Sequence, residues 1–170
     1  MKKNSGFTVV ELLIVLLLLG VLVVLTLRVG ESVTANSRIT GLINNFLADF
    51  SQAKLLASSE NRYVAITFSN DGRSYSLQKQ NDITDFTTWT QVKTVTPLSE
   101  GAFFTAGAFS DFAVNSTGVV RLVDSGGTVY PGSNPANVTL VFYIRKRDGS
   151  IAYRRTIQIF PYGGLKVEKH

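Results

Sequence analysis

From Phe7 to Leu27 the chain reads FTVVELLIVLLLLGVLVVLTL, 21 residues carrying one charge, Glu11. A helix needs roughly 20 apolar residues to cross the hydrocarbon core of a bilayer, so the run is long enough to span one. The hexapeptide before it, MKKNSG, is short and basic. Cationic flanks stay on the cytoplasmic side, which points the C-terminal end of the helix outward. Everything after Leu27 is therefore expected to fold outside the cytoplasm while tethered to this segment.

Three readings of the segment compete. The first is a secretory signal peptide, for which Val33-Thr34-Ala35 offers a cleavage-like site. Such peptides carry an apolar core of about 7–15 residues, shorter than this one, and the site lies well past the end of the run. The second is a plain membrane anchor, which leaves Glu11 unexplained. A charge at the bilayer centre costs roughly 2.5–3.5 kcal/mol on insertion scales, although Glu11 sits only one turn from Phe7. The third takes the basic leader, the glycine and the carboxylate together.

That third reading rests on Gly6-Phe7-Thr8-Val9-Val10-Glu11, which resembles the processing site of type IV prepilins and type II secretion pseudopilins. The resemblance implies that prepilin peptidase cuts between Gly6 and Phe7 and that the new N-terminus, Phe7, is methylated. Cleavage creates an ammonium at Phe7 that is protonated near neutral pH. Glu11 follows one helical turn later, near the positive end of the helix dipole. A carboxylate in apolar surroundings is tolerated mainly when paired. The resemblance implies that the pairing is partly intermolecular, Glu11 of an incoming subunit meeting Phe7 of the last one added. Neutralisation of Phe7 by Glu11 within one chain stays open.

Past Arg28 and Glu31 the pattern turns amphipathic. Ile39, Leu42, Ile43, Phe46, Leu47, Phe50, Ala53, Leu56 and Ala57 recur at three- and four-residue steps, one buried stripe of a surface helix. Arg38, Asn44, Asn45, Asp49, Gln52 and Lys54 are assigned to the wet face. No proline precedes Pro97, so one helix of roughly 80 Å is expected from about Phe7 to Ser59. Many major pilins carry a proline in the apolar half; this chain has none there.

Beyond Asn61 the apolar period becomes two. Tyr63–Phe68 and Tyr75–Gln78, joined by Asn70-Asp71-Gly72-Arg73, read as a hairpin. Residues 80–91 read as a polar loop containing Trp89, and Val92–Thr96 as a strand. Phe103, Phe104, Phe109 and Phe112 are assigned to the core. A turn and strand follow over Asn115–Leu122. Val138–Arg145 and Ile151–Phe160 flank Arg147-Asp148-Gly149-Ser150 as the clearest hairpin, and Leu165–Val167 adds a short strand. The expected fold class is α+β, a long N-terminal helix packed on an antiparallel sheet head. The expected divisions are a cleaved leader (1–6), a transmembrane and assembly half of the helix (7–27), an amphipathic half (28–59) and a β-rich head (60–170). With Gln52-Ala53-Lys54-Leu55-Leu56-Ala57-Ser58 running into Val64–Phe68 and the Asp71-Gly72 turn, this order is similar to the GspH/FimT branch of the pilin family. Lysine stands at 54 where arginine is common in that branch.

The inventory of chemistry is thin. There is no cysteine, and the one histidine is His170, so neither thiolate metal sites nor catalytic imidazole are expected; no metal and no cofactor is assigned. No phosphate-binding loop or nucleophile elbow occurs, and the chain is read as not an enzyme. Asp82 and Asp85 lie near each other in the polar loop; paired carboxylates can do acid–base work or bind Ca²⁺, but two in such a loop read as solvated, and Asp124 reads as a turn residue. Lys+Arg is 17 against Asp+Glu 12, net +5. Loss of Lys2 and Lys3 with the leader leaves 15 against 12, or +3, too mild a surplus to argue for nucleic acid alone. Arg145, Lys146, Arg147, Arg154, Arg155 and Lys166, with Lys169, gather in the last hairpin and tail near Tyr143, Tyr153 and Tyr162. On one face they would make a cationic patch for DNA; the plainer account is strand-edge charge that discourages aggregation.

The resemblance therefore implies a minor pilin or pseudopilin, single-pass in the bacterial inner membrane with its head in the periplasm, that joins a type II secretion pseudopilus or a type IV pilus. Its implied partners are other pilins or pseudopilins, the inner-membrane assembly platform and prepilin peptidase. A pilus-tip DNA-binding role in uptake is the rival.

Overall fold

The computed structural model describes residues 8–69, 71–82, 84–95, 102–106, 111–123, 137–145 and 149–169, without the side chains of 24–34, 86 and 102–106. One helix, α1, runs Val9–Glu60, about 78 Å at 1.5 Å per residue. Thr8 caps it in extended conformation, its hydroxyl accepting from Glu11 N–H at 3.3 Å. Thr8-Val9-Val10-Glu11 is thus a capping-box sequence. Asn61 ends the helix in the left-handed region, φ 51°, with the Asn61 and Arg62 amides both donating to Ala57 O. Asparagine is one of the few residues that adopt this conformation cheaply.

The head follows as strands. β1 (Val64–Phe68), β2 (Tyr75–Asp82), β3 (Asp85–Val95), β5 (Phe112–Val114) and β6 (Val120–Leu122) form one antiparallel sheet in the order β3-β2-β1-β5-β6. β4 (Ala102–Ala106), β7 (Val138–Arg145), β8 (Ile151–Ile159) and β9 (Leu165–Lys169) form a second in the order β4-β7-β8-β9. The amphipathic half of α1 lies against both sheets. Ile39, Leu42, Ile43, Phe46, Phe50, Ala53 and Ala57 are buried, and Leu47 and Leu56 partly so. They meet Ile66, Leu77, Phe112 and Val120 of the first sheet and Leu140, Phe142, Ile157 and Ile159 of the second. Phe46 stands at the centre, its ring 5.4 Å from Phe142 and 5.6 Å from Tyr75.

The α+β class, the antiparallel head, the hairpin at Asp71-Gly72 and the antiparallel pairing of β7 with β8 agree with the sequence reading. The segment 80–91 does not: β2 continues to Asp82 and β3 opens at Asp85, so this stretch is the end of a hairpin rather than a loop. Its threonines favour extended backbone, while the polar composition reflects a sheet edge exposed on the β3 side. Phe112 is fully buried. Phe109 and the side chains of Phe103 and Phe104 lie outside the described residues, as do the loop glycines and prolines of 126–135 and Asp124.

Asp49 and Lys54 also depart from the wet face. Asp49 is 5% exposed, because 46, 49, 50 and 53 fall on the stripe that the helix buries. Lys54 is half-buried, its ammonium 5.4 Å from the Phe50 ring and donating to Gly163 O at 3.3 Å. That bond ties the turn after β8 to the upper part of the helix. The turn is close-packed: Gly163 has φ +75°, and a Cβ there would lie 2.8 Å from Gly118 O.

Candidate assembly helix and the basic strands

The stretch Val9–Val23 of α1 has no head to pack on. Thirteen large apolar side chains between Val9 and Val23 are exposed, from 45% at Val15 to 76% at Val9. Full burial of such a side chain contributes about 1.5–3 kcal/mol. Together they outweigh the roughly 5–15 kcal/mol by which a whole domain is usually stable. The segment therefore demands an apolar environment on every side of the helix, not along one stripe. Glu11 is the only charge in it, exposed in the first turn and joined to Thr8 through its backbone amide. Gly6 and Phe7 lie outside the described residues. Among the described residues no helix is long and apolar enough to cross a membrane; the described side chains of the run stop at Val23, four residues short of Leu27.

The basic residues of the last hairpin are divided by the sheet. Arg155 stands opposite Phe142 in the β7–β8 register, on the helix side, and its guanidinium donates to Asn36 Oδ1 at 3.1 Å. Arg154 is the next residue and so faces the other way, opposite Tyr143, over whose ring Arg145 sits at 5.5 Å. Lys166, opposite Gln158, shares that outer face, where it pairs with Glu168 at 2.6 Å. Lys146 and Arg147 lie outside the described residues. The single cationic face that the sequence suggested is therefore not formed by Arg154 and Arg155 together; alternation along β8 sends them to opposite sides.

The carboxylates at the other end of the head serve turns. Asp82 accepts from the Thr84 amide and hydroxyl, both at 2.8 Å. Asp85 accepts from Thr87 N–H and the Thr87 and Thr88 hydroxyls at 2.6–2.8 Å. These bonds, Thr87's first, hold the Asp85 carboxyl at about 2, and Thr84 lowers that of Asp82. Among the described residues no three His, Cys, Asp or Glu side chains gather as metal ligands.

Two polar devices escaped the sequence reading. Thr8 was legible, since T-x-x-E before an apolar run marks a helix start. Asp49 takes a hydrogen bond from the Tyr75 hydroxyl and an ion pair from Lys93 Nζ, each at 2.6 Å. Its spacing from Phe46 and Ala53 was the available signal.

The family described as "Prokaryotic N-terminal methylation motif" matches residues 1–27. No curated protein matches the chain. Among solved structures, the minor pseudopilin EpsH of the Type 2 Secretion System of Vibrio cholerae aligns with a TM-score of 0.52 at 12% identity, over 74% of this chain and 92% of that one. The type IV minor pilin FimU of Pseudomonas aeruginosa aligns with a TM-score of 0.52 at 17% identity, over 81% of this chain and 90% of that one. At these identities the likeness is one of fold. With the methylation motif on its N-terminus and the fold shared by EpsH and FimU, the chain is type IV pilin-like.

Proposed function

We propose that this chain is a minor pilin or pseudopilin that assembles through α1 into a type II secretion pseudopilus or a type IV pilus, and that its role is structural rather than enzymatic. The observation that carries the proposal is the stretch Val9–Val23, whose apolar side chains stand clear of the head on all sides of the helix. Such a surface is satisfied by lipid before assembly and by neighbouring helices after it. The methylation motif and the fold likeness to a minor pseudopilin and a minor pilin support the same reading.

In this proposal prepilin peptidase removes residues 1–6 by cutting between Gly6 and Phe7, and Phe7 is N-methylated. Residues 7–27 hold the precursor in the inner membrane as a single pass, 28–59 carry the amphipathic half of the helix, and 60–170 form a periplasmic head. On extraction by the inner-membrane assembly platform, Glu11 pairs with the Phe7 ammonium of a neighbouring subunit. A partner of opposite charge is what an isolated carboxylate among leucines and valines requires.

Mass spectrometry of the mature N-terminus tests the processing step: the expected product begins at methylated Phe7. A chain beginning at Met1 or at Asn36 would remove the reading. DNA uptake is not advanced, because the basic set on which it drew is split between two faces.

A further inference from the structure

We infer that the β7–β8 end of the head is a second membrane contact, a basic and aromatic tip that seats the head on an anionic phospholipid surface while the chain waits in the bilayer. The inference rests on the reading of residues 7–27 as a membrane segment.

Geometry sets the height of this tip. The turn after β8 is tied to Lys54 high on the helix, whereas Arg155, lower on the same strand, bonds to Asn36. β8 therefore descends from its C-terminal end toward the apolar half of α1 as it is followed back to Ile151. Asn36 lies nine helical residues past Leu27, about 14 Å. Four further strand residues separate Arg155 from Ile151, a reach of up to about 13 Å back toward the bilayer. The headgroup layer is roughly 5–8 Å thick on each side, so the tip reaches it.

The residues presented there suit that layer. Arg145 and Arg154 are exposed on the outer face on either side of Tyr143. Ile151, at the start of β8, is 56% exposed, and Tyr143 stands partly exposed beside the arginines. Tyrosines sit at the membrane–water boundary, a lone exposed isoleucine gains by entering it, and each Arg close to an anionic surface adds attraction that decays within a Debye length. Glu168, the acidic residue of β9, is neutralised by Lys166 at 2.6 Å. Nucleic acid would also be drawn by the arginines, but it gives no role to the exposed Ile151 or to the position of the tip beside the apolar helix.

The test uses the full chain, which has no cysteine of its own, reconstituted in vesicles of phosphatidylcholine with or without phosphatidylglycerol. A fluorophore is placed by Ser150→Cys at the tip, or by Ser58→Cys high on the helix as a control, and its quenching by headgroup spin-labelled lipid is read. The expected result is quenching at position 150 and not 58, dependent on phosphatidylglycerol and reversed by salt. Arg145→Glu with Arg154→Glu should lower the anionic-lipid-dependent part roughly tenfold. If the chain floats with the vesicles but the tip is unquenched, or equally quenched without anionic lipid, the tip contact is overturned and the membrane helix stands. If the chain does not float, both fall. If short duplex DNA strips the tip from the vesicles and retards the detergent-solubilised full chain in a gel, the surface belongs to nucleic acid and the lipid proposal is overturned.

Discussion

The Tyr75 hydroxyl donates a 2.6 Å hydrogen bond to the Asp49 carboxylate in the interior of the head. Lys93 reaches the other oxygen at 2.6 Å, so one acid on the helix joins β2 and β3. Burial first, and then the Asp49 contact, push the phenol well above its usual pKa, and Tyr75 remains a donor at any ordinary pH. Asp49→Ala removes the acceptor of the Tyr75 hydroxyl and the carboxylate paired with Lys93, and is expected to cost about 2–4 kcal/mol. Tyr75→Phe keeps the ion pair and should cost about 1 kcal/mol. Denaturant unfolding of the full chain in detergent, followed through its single tryptophan, Trp89, checks the order; a larger loss for Tyr75→Phe would contradict it.

Thr8 and Glu11 share the first turn of α1, and substitution separates capping from assembly. Thr8→Ala removes the cap and should cost helix stability of about 1 kcal/mol while leaving entry into filaments nearly intact. Glu11→Ala should leave processing and membrane insertion unchanged and abolish entry into filaments. Immunoblots of sheared filaments against membranes read both; normal incorporation of Glu11→Ala would defeat the proposed pairing.

The turn at Gly163 should tolerate no side chain. A Cβ would meet Gly118 O at 2.8 Å, in a backbone conformation that L-residues adopt reluctantly. Gly163→Ala is expected to lower stability by roughly 1–3 kcal/mol, whereas Gly41→Ala, with nothing within 4 Å of the added carbon, should be neutral or stabilising. Thermal melts of the two variants give the comparison.

Asp85 and Asp111 should show opposite pH dependence. Asp85 is held at about 2, below the usual carboxylate range, by the Thr87 and Thr88 hydrogen bonds. Its contribution is complete above the unfolded value and disappears as pH falls through about 2. Asp111 is raised by burial, against a hydrogen bond from Phe68 N–H at 2.9 Å. Its contribution is complete below the unfolded value and declines as pH rises through the folded one. The stability gap between the native chain and Asp85→Asn should close on acidification from pH 5 to pH 2, while Asp111→Asn should give a gap that moves in the other direction. Unfolding midpoints across that range decide both.

How far the fold could be read from the residues follows from how local each signal is. The stripe from Ile39 to Ala57 and the hairpin around Asp71-Gly72 are short-range patterns, and both appear in the structure. The β2–β3 hairpin was hidden because Thr84, Thr87 and Thr88 look like loop residues until their hydroxyls are seen binding Asp82 and Asp85. Asp49 was misplaced because composition assigns a carboxylate to water, whereas its position between Phe46 and Ala53 assigns it to the stripe. Whether the basic residues of the last hairpin share a face was left open by the sequence for a different reason: a cluster in sequence becomes a cluster in space only if the period allows it, and a strand sends neighbours such as Arg154 and Arg155 apart. The spacing of Gly6, Phe7 and Glu11 is a property of the string itself, and the processing proposed there rests on that spacing and on the methylation motif over residues 1–27.

The bare apolar stretch of α1 has a thermodynamic corollary. Lipid tails and the flanks of sister helices are equally oily, so moving Val9–Val23 from one to the other brings almost no net hydrophobic gain. On the proposed assembly, the direction of travel is then set by small polar terms at Glu11 and by work done by the machinery. A fibre held by so even a balance can grow and retract through the same series of subunit transfers.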